Sequence, residues 1–269
     1  MEIFAGTSPG DLGTLALGLV IAGVVGGMVA GLLGVGGGIV VVPVLYHVLA
    51  LIGIDESVRM HVAVGTSLAT IIPTSFSSVT AHNKKGAVDW DLLRRWAAPM
   101  VAGVLIGSAL AGLASGRVLS LVFVCVAVPV ALHLAFGGEE RRISNQLPRG
   151  IGGLVLPAFI GGGTVGVPAM TLCGVPIHRA VGTASAFGVL ISIPGTIGAI
   201  AAGWHAQGLP PWSLGYVNLL GFVLIAPASY FMAPVGAHFA HSTDRKRLRV
   251  LFAAFIALTA GRMLWDALV

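Results

Sequence analysis

Two runs of three glycines interrupt apolar sequence at matching places in the two halves of the chain. One reads GGGIVVVP (residues 36–43) and the other GGGTVGVP (161–168). Each is followed by a second shared string, HVAVGT beginning at His61 and HRAVGT beginning at His178. Six of eight positions agree in the first string and five of six in the second, in the same order. The chain is therefore internally duplicated, and its most alike parts are helix breakers within hydrophobic sequence. Non-helical backbone at membrane depth is tolerated only where it is buried in protein or lines a cavity, because unpaired N–H and C=O groups are costly in hydrocarbon. Paired interruptions of this kind point to a binding site between two repeats.

The membrane setting follows from composition. Hydrophobic residues make up 56% of the chain and charged residues 9%, against about 25% charged in a soluble domain. Apolar segments run at about 12–34, 39–54, 61–82, 92–114, 117–136, 150–160, 164–175, 178–203, 212–240 and 247–268. A spanning helix needs roughly 20 apolar residues, so the fold class is an all-α polytopic membrane protein. The runs are continuous rather than alternating, which argues against a β-barrel. The sequence pI near 9.8 comes from basic residues in short loops between spans, where they orient the chain; the bilayer, not nucleic acid, is the expected partner. Cys125 and Cys173 lie in apolar segments without a CxxC or a nearby His, so they are expected to pack as small hydrophobes. No metal or cofactor is expected. The N-terminus lacks a basic n-region, so no cleaved signal peptide is expected.

The segments around each triplet are short. Eleven or twelve residues at 150–160 and 164–175 cover only about half of the ~30 Å core, so each triplet reads as the tip of a broken helical hairpin. The loops 83–95, 137–149 and 241–249, with the turn 176–179, hold twelve basic residues. Only Arg59, Arg117 and Arg262 lie elsewhere. Placing the twelve in the cytoplasm satisfies the positive-inside rule, and requires hairpin 150–175 to enter and leave on that side while hairpin 12–54 starts and ends outside. The expected organisation is two inverted-topology repeats, each a hairpin plus three transmembrane helices. The first covers 1–136 (hairpin 12–54, spans 61–82, 92–114 and 117–136), then a cytoplasmic linker, 137–149. The second covers 150–269 (hairpin 150–175, spans 178–203, 212–240 and 247–268). Both termini are expected outside the cell. Whether 12–34 is a half-helix or a full span is left open.

A helix N-terminus is an anion site without a basic side chain, and a half-helix is expected to begin after each triplet, at Ile39 and at Thr164, the latter as N-cap. Gly36, Gly37, Gly38, Gly161, Gly162, Gly163 and Thr164 are therefore candidate substrate-binding residues. The competing use of glycine is close helix packing, as at Gly27/Gly31 and Gly103/Gly107. Thr66, Ser67, Thr183 and Ser185, in or after the AVGT strings, could complete an anion's hydrogen bonds, or bond their own helix carbonyls. His61, His178 and His82 are candidates for gating or proton relay, with helix capping as the plainer role. The loop HNKKGAVDW (82–90) reads as a solvated, topology-setting segment, with substrate gathering as the lesser role. No Asp, Glu, Lys or Arg lies mid-span, which suits an anion better than a cation. No Walker, HExxH or GxSxG motif is present, nor paired intramembrane carboxylates, so enzymatic activity is not expected.

These residues resemble the sulfite exporter TauE/SafE family: GLLGVGGGIVVVPVL at 31–45, AVGTSLATIIPTSFSSVTAH at 63–82, KKGAVDW at 84–90, and GGGTVGVPAM and HRAVGTASAF in the second half. The resemblance covers about residues 15–265. It implies a plasma-membrane carrier moving small anions, with sulfite and organosulfonates as the associated substrates. A secondary carrier exporting such an anion, with the proton as a candidate coupling ion, stands beside a channel-like or non-transporting partner subunit in a sulfur pathway. Oligomeric state is left open, a homo-oligomer included.

Overall fold

The computed structural model describes residues 9–34, 36–136, 163–239 and 245–268. Linker 137–149, segment 150–160, Gly161 and Gly162 lie beyond the described residues.

The chain is helical almost throughout. In order, the described helices are α1 (Pro9–Leu33), α2 (Gly38–Leu51), α3 (Glu56–Asn83), α4 (Trp90–Leu113), α5 (Gly116–Phe136), α6 (Gly163–Leu172), α7 (Ile177–Ala202), α8 (Leu219–Phe239) and α9 (Arg245–Leu268). A small antiparallel hairpin, β1 (Ser213–Leu214) and β2 (Val217–Asn218), precedes α8. Five of the helices are long and apolar enough to cross a bilayer: α1 from Gly13, α3, α4, α7 and α8. The protein is a polytopic helical membrane protein.

The segments at the glycine triplets are short. Helix α2 has 14 residues and α6 has 10, giving about 21 and 15 Å of rise against a core of ~30 Å. The limb before the first triplet is different. Helix α1 has 25 residues, the length of a full span, so the first hairpin pairs one long limb with one short one.

Two expected boundaries shift. The span expected from 212 begins at Leu219, because Pro210 and Pro211 remove two backbone donors, and Trp212 and Gly215 take positive φ (61° and 55°) to form the hairpin. The half-helix expected from Thr164 begins at Gly163, which puts Thr164 inside the first turn rather than at its cap.

Helix α3 is the axis of the molecule. It packs on α2, α5, α7 and α8, while α1 packs on α8, α4 on α7 and α5 on α9. Its apolar window is 67% buried, against 11% for α4, which is peripheral. Helices α3 and α7 run antiparallel along their length. Gly65 faces Ala199 and Gly195 faces Leu68, while Gly188 faces Ser75 and Ser78 meets Ser185.

Glycine sets the α1–α8 contact: a Cβ at Gly27 would lie 2.5 Å from Ser229 O, and one at Gly31 would strike Ala233 O. Lipid tails are as apolar as these helices, so such close approach, with its dispersion gain, is what holds spans together. Gly107 has nothing within reach, and the packing role expected there is absent among the described residues. Cys125 likewise faces outward rather than into a core. Large apolar side chains such as Ile106, Leu110, Phe231 and Leu258 are exposed on the periphery, where a bilayer accommodates them.

Candidate functional site

The first glycine triplet forms a left-handed turn. Gly36 and Gly37 have φ of 72° and 76°, a region that costs other residues about 1–2 kcal/mol. Gly37 is the N-cap of α2, and its carbonyl accepts from Val40 N (3.0 Å) and Val41 N (3.1 Å). The N–H groups of Gly38 and Ile39 begin the helix and have no acceptor within it. The turn is wedged between α1 and α3: a Cβ on Gly37 would lie 2.6 Å from Gly26 O, and one on Gly38 would lie 3.0 Å from Ile71 Cδ1.

On α3 the turn meets a stripe spaced by four residues, Ser67–Ile71–Ser75. A Cβ on Gly38 would stand 3.2 Å from Ser67 Oγ, and one on Gly36 would stand 3.4 Å from Ser75 Oγ. Both serines are 1% exposed, and neither Oγ has a hydrogen-bond partner among the described residues. They straddle the midpoint of a 28-residue helix. Gly188 of α7 closes over Ser75 from the other side. A buried hydroxyl without a partner costs roughly 1–3 kcal/mol, so each of the two is a candidate polar contact along the glycine turn. Eight residues separate the two serines, about 12 Å of helix rise, so a small oxyanion could accept from Ser67 Oγ together with the first N–H groups of α2, or from Ser75 Oγ beside Gly36, one hydroxyl at a time.

The other expected site residues divide. Gly163, the last residue of the second triplet, opens α6. Thr66, Thr183 and Ser185 are buried, but their hydroxyls are engaged within the protein. Thr66 Oγ1 accepts from Asn218 N (2.8 Å), and Thr183 Oγ1 accepts from Asp89 N (2.9 Å). Ser185 Oγ donates to Val181 O (3.1 Å) and lies 3.0 Å from Ser78 Oγ.

The two threonine bonds are the same interaction made twice. Asp89 is the N-cap of α4, its carboxylate accepting from Leu92 N (2.9 Å); Asn218 precedes α8, its carboxamide oxygen accepting from Gly221 N (2.8 Å). Gly65 and Gly182, one residue before each threonine, leave no room for a Cβ beside Tyr216 O and Ala87 O. Each half thus grips the turn that starts the next helix of the other half. The sequence carries a signal for this: GAVDW (86–90) matches GYVNL (215–219) in type, and both glycines have positive φ. Ser75 and Asn218 are not among the residues expected from sequence, and Asp89 is expected only as part of the 82–90 loop.

His61 and His82 are placed as braces. His61 Nδ1 lies 3.1 Å from Ser57 O and Nε2 lies 3.1 Å from Ala114 O, at the end of α4, with the ring stacked on Tyr216 at 4.7 Å. His82 is buried, with Nε2 2.9 Å from Gly31 O. His178 is exposed at the start of α7. Among the described residues no group of three His, Cys, Asp or Glu could hold a metal ion.

Known proteins share this chain's sequence along almost its whole length. A Haemophilus influenzae protein named as a probable membrane transporter is 31% identical over 93% of this chain and 98% of its own. Similarly named proteins are 25% identical in Methanocaldococcus jannaschii, over 91% of this chain and 94% of its own, and 26% in Bacillus subtilis, over 93% and 97%. No solved structure matches. A glycine turn wedged against a central helix, two grips exchanged between halves and transporters as full-length relatives agree with the family match, which spans residues 19–263: the chain belongs to the sulfite exporter TauE/SafE family.

Proposed function

We propose that this membrane transporter exports a small oxyanion, sulfite or an organosulfonate, by alternating access around the Gly36–Gly38 turn. The observation that carries this is the pair of buried, unpartnered hydroxyls along the turn, Ser67 Oγ at Gly38 and Ser75 Oγ at Gly36. Each hydrogen bond to a charged group contributes about 1.5–3 kcal/mol and a helix end adds up to ~2 kcal/mol. Desolvating the anion offsets much of this, so weak binding is expected, which suits a carrier that must release its cargo.

Inverted repeats supply the motion in this reading. The antiparallel run of α3 and α7 and the exchanged grips at Asn218 and Asp89 support two halves related by an axis in the membrane plane, able to rock about a central site. The basic loop 83–95 faces the cytoplasm of a plasma membrane in the same reading, and both termini lie on the other side.

The test is sulfite and methanesulfonate flux in proteoliposomes. Wild-type protein should show saturable counterflow. The Ser67→Ala/Ser75→Ala double variant should lose it by about tenfold or more, as should Gly38→Ala, whose methyl intrudes on Ser67 Oγ. Flux that never saturates would identify a channel, and wild-type rates in both variants would remove the site.

A further inference from the structure

The two exchanged grips differ in charge. At the α8 end, Asn218 is neutral, and its carboxamide nitrogen donates to Pro211 O (2.9 Å) and Ser213 Oγ (3.2 Å). At the α4 end, Asp89 gives one carboxylate oxygen to Leu92 N and turns the other to Arg179, whose guanidinium lies 3.3 Å away. In the aligned HVAVGT and HRAVGT strings, the position of Arg179 is held in the first half by Val62, which is fully buried. The chain therefore sets a cation beside one grip and an aliphatic side chain beside the other.

Asp89 does not need Arg179 in order to act. Its cap bond uses Oδ1 and its grip on Thr183 uses the backbone N–H, so only Oδ2 faces the guanidinium. Arg179 is about half exposed. An exposed pair of this kind contributes little to stability, so an incoming anion can compete for the arginine without dismantling the helix start. The guanidinium offers five donors in a planar fork suited to oxyanions. Of the neighbouring cations, Lys85 reaches Ala237 O (3.4 Å) and Arg94 faces Asp91 (3.9 Å); neither stands at the grip.

We propose that Arg179 is a peripheral capture site for the oxyanion substrate at the mouth beside the 83–95 loop, with Asp89 as the resident anion that the substrate displaces. The inference rests on the small-oxyanion reading above and adds a direction to it. A fixed cation at one mouth raises the local anion concentration there; at the other end Val62 holds the aligned place, and Arg59 is tied to the Ile54 carbonyl and the Tyr46 ring. Anion is therefore gathered from the side of the basic loop, the cytoplasmic side in that reading, as export requires.

A structural brace and a competing anion predict different signs. In proteoliposomes of defined orientation, sulfite and methanesulfonate flux is measured with substrate on each face in turn. On the 83–95 face, Arg179→Gln should raise KM about fivefold with kcat nearly unchanged. Asp89→Asn should lower KM there by a similar factor, and Asn keeps the cap because Asn218 already makes it at the matching turn. Both shifts should shrink in about 0.5 M salt, and KM on the opposite face should not move. Melting temperature in detergent reports whether each variant is folded, and Arg179→Lys, which keeps the charge but loses the planar fork, should give a KM between those of wild type and Arg179→Gln. If Asp89→Asn and Arg179→Gln weaken transport alike, the pair is a brace and the capture site is refuted while the central site stands. If the wild type carries neither anion, the oxyanion reading fails and the capture site falls with it.

Discussion

Ser67 and Ser75 keep hydroxyls inside the protein that nothing in the described chain satisfies, and this makes stability and function respond in opposite directions. Replacing either by alanine removes a buried polar group of no structural use, so the melting temperature in detergent should hold or rise, by the equivalent of up to about 1 kcal/mol, while flux falls. A drop in both would show that the hydroxyls brace the fold. Glycine tests the turn itself. Gly37 and Gly53 have nearly the same φ, 76° and 77°, but a Cβ at Gly53 meets nothing while one at Gly37 lies 2.6 Å from Gly26 O. Gly53→Ala should therefore cost only the left-handed penalty of about 1–2 kcal/mol. Gly37→Ala should cost clearly more, since backbone must also move; equal losses in SDS titration would mean that the turn is not wedged. Asp55 offers a pH reading. Hydrogen bonds from the Ser57 hydroxyl and N–H hold its carboxyl below the usual carboxylate range. The cap at α3 is therefore intact above a pH of about 4 and weakens only as pH falls through the lowered value, so it should leave neutral-pH transport unchanged.

Helix starts carry the distinctive work at the level of elements. Asp89 and Asn218 each fix the first turn of a helix and donate a backbone N–H to a threonine of the other half. Thr66→Val should leave the Asn218 N–H without its acceptor in a fully buried setting, and Thr183→Val should do the same to the partly buried Asp89 N–H. Losses of about 1–3 kcal/mol follow for the first and less for the second, read from unfolding in SDS; the reverse order would mean that burial does not control these grips. Both helix starts are legible as a repeat, GAVDW against GYVNL, yet charge and glycine dominate the first and make it read as a solvated loop. Only the fold shows that the loop tucks its Asp89 N–H under α7.

For the molecule as a whole, orientation is the property that most needs a direct test. With Cys125 and Cys173 replaced, a single cysteine at position 207 should react with an impermeant thiol reagent added outside cells, and one at position 84 should not. The reverse pattern would invert the molecule, and with it the meaning of the charged mouth at Arg179. Helix α1 belongs to this scale too. Its 25 residues gave the sequence no way to distinguish a full span from a returning limb, since both leave the same loops on the same sides.

Composition and hydropathy alone determined that the chain lives in a membrane as a bundle of helices, because burial in hydrocarbon allows no other use for runs of that length without alternation. The glycine triplet alone located the break between α1 and α2, because three glycines in a row have few other uses within apolar sequence. The use of each hydroxyl was decided by tertiary structure. Thr66, Thr183 and Ser185 look as available as Ser67 in the sequence, yet three are engaged by residues far along the chain or within their own helix and one is not. Ser75 gave no local signal, and became notable only where Gly36 of the glycine turn and Gly188 of α7 closed on it. Hydrogen-bond partners are set by who arrives across a helix interface, and no spacing along one helix encodes that.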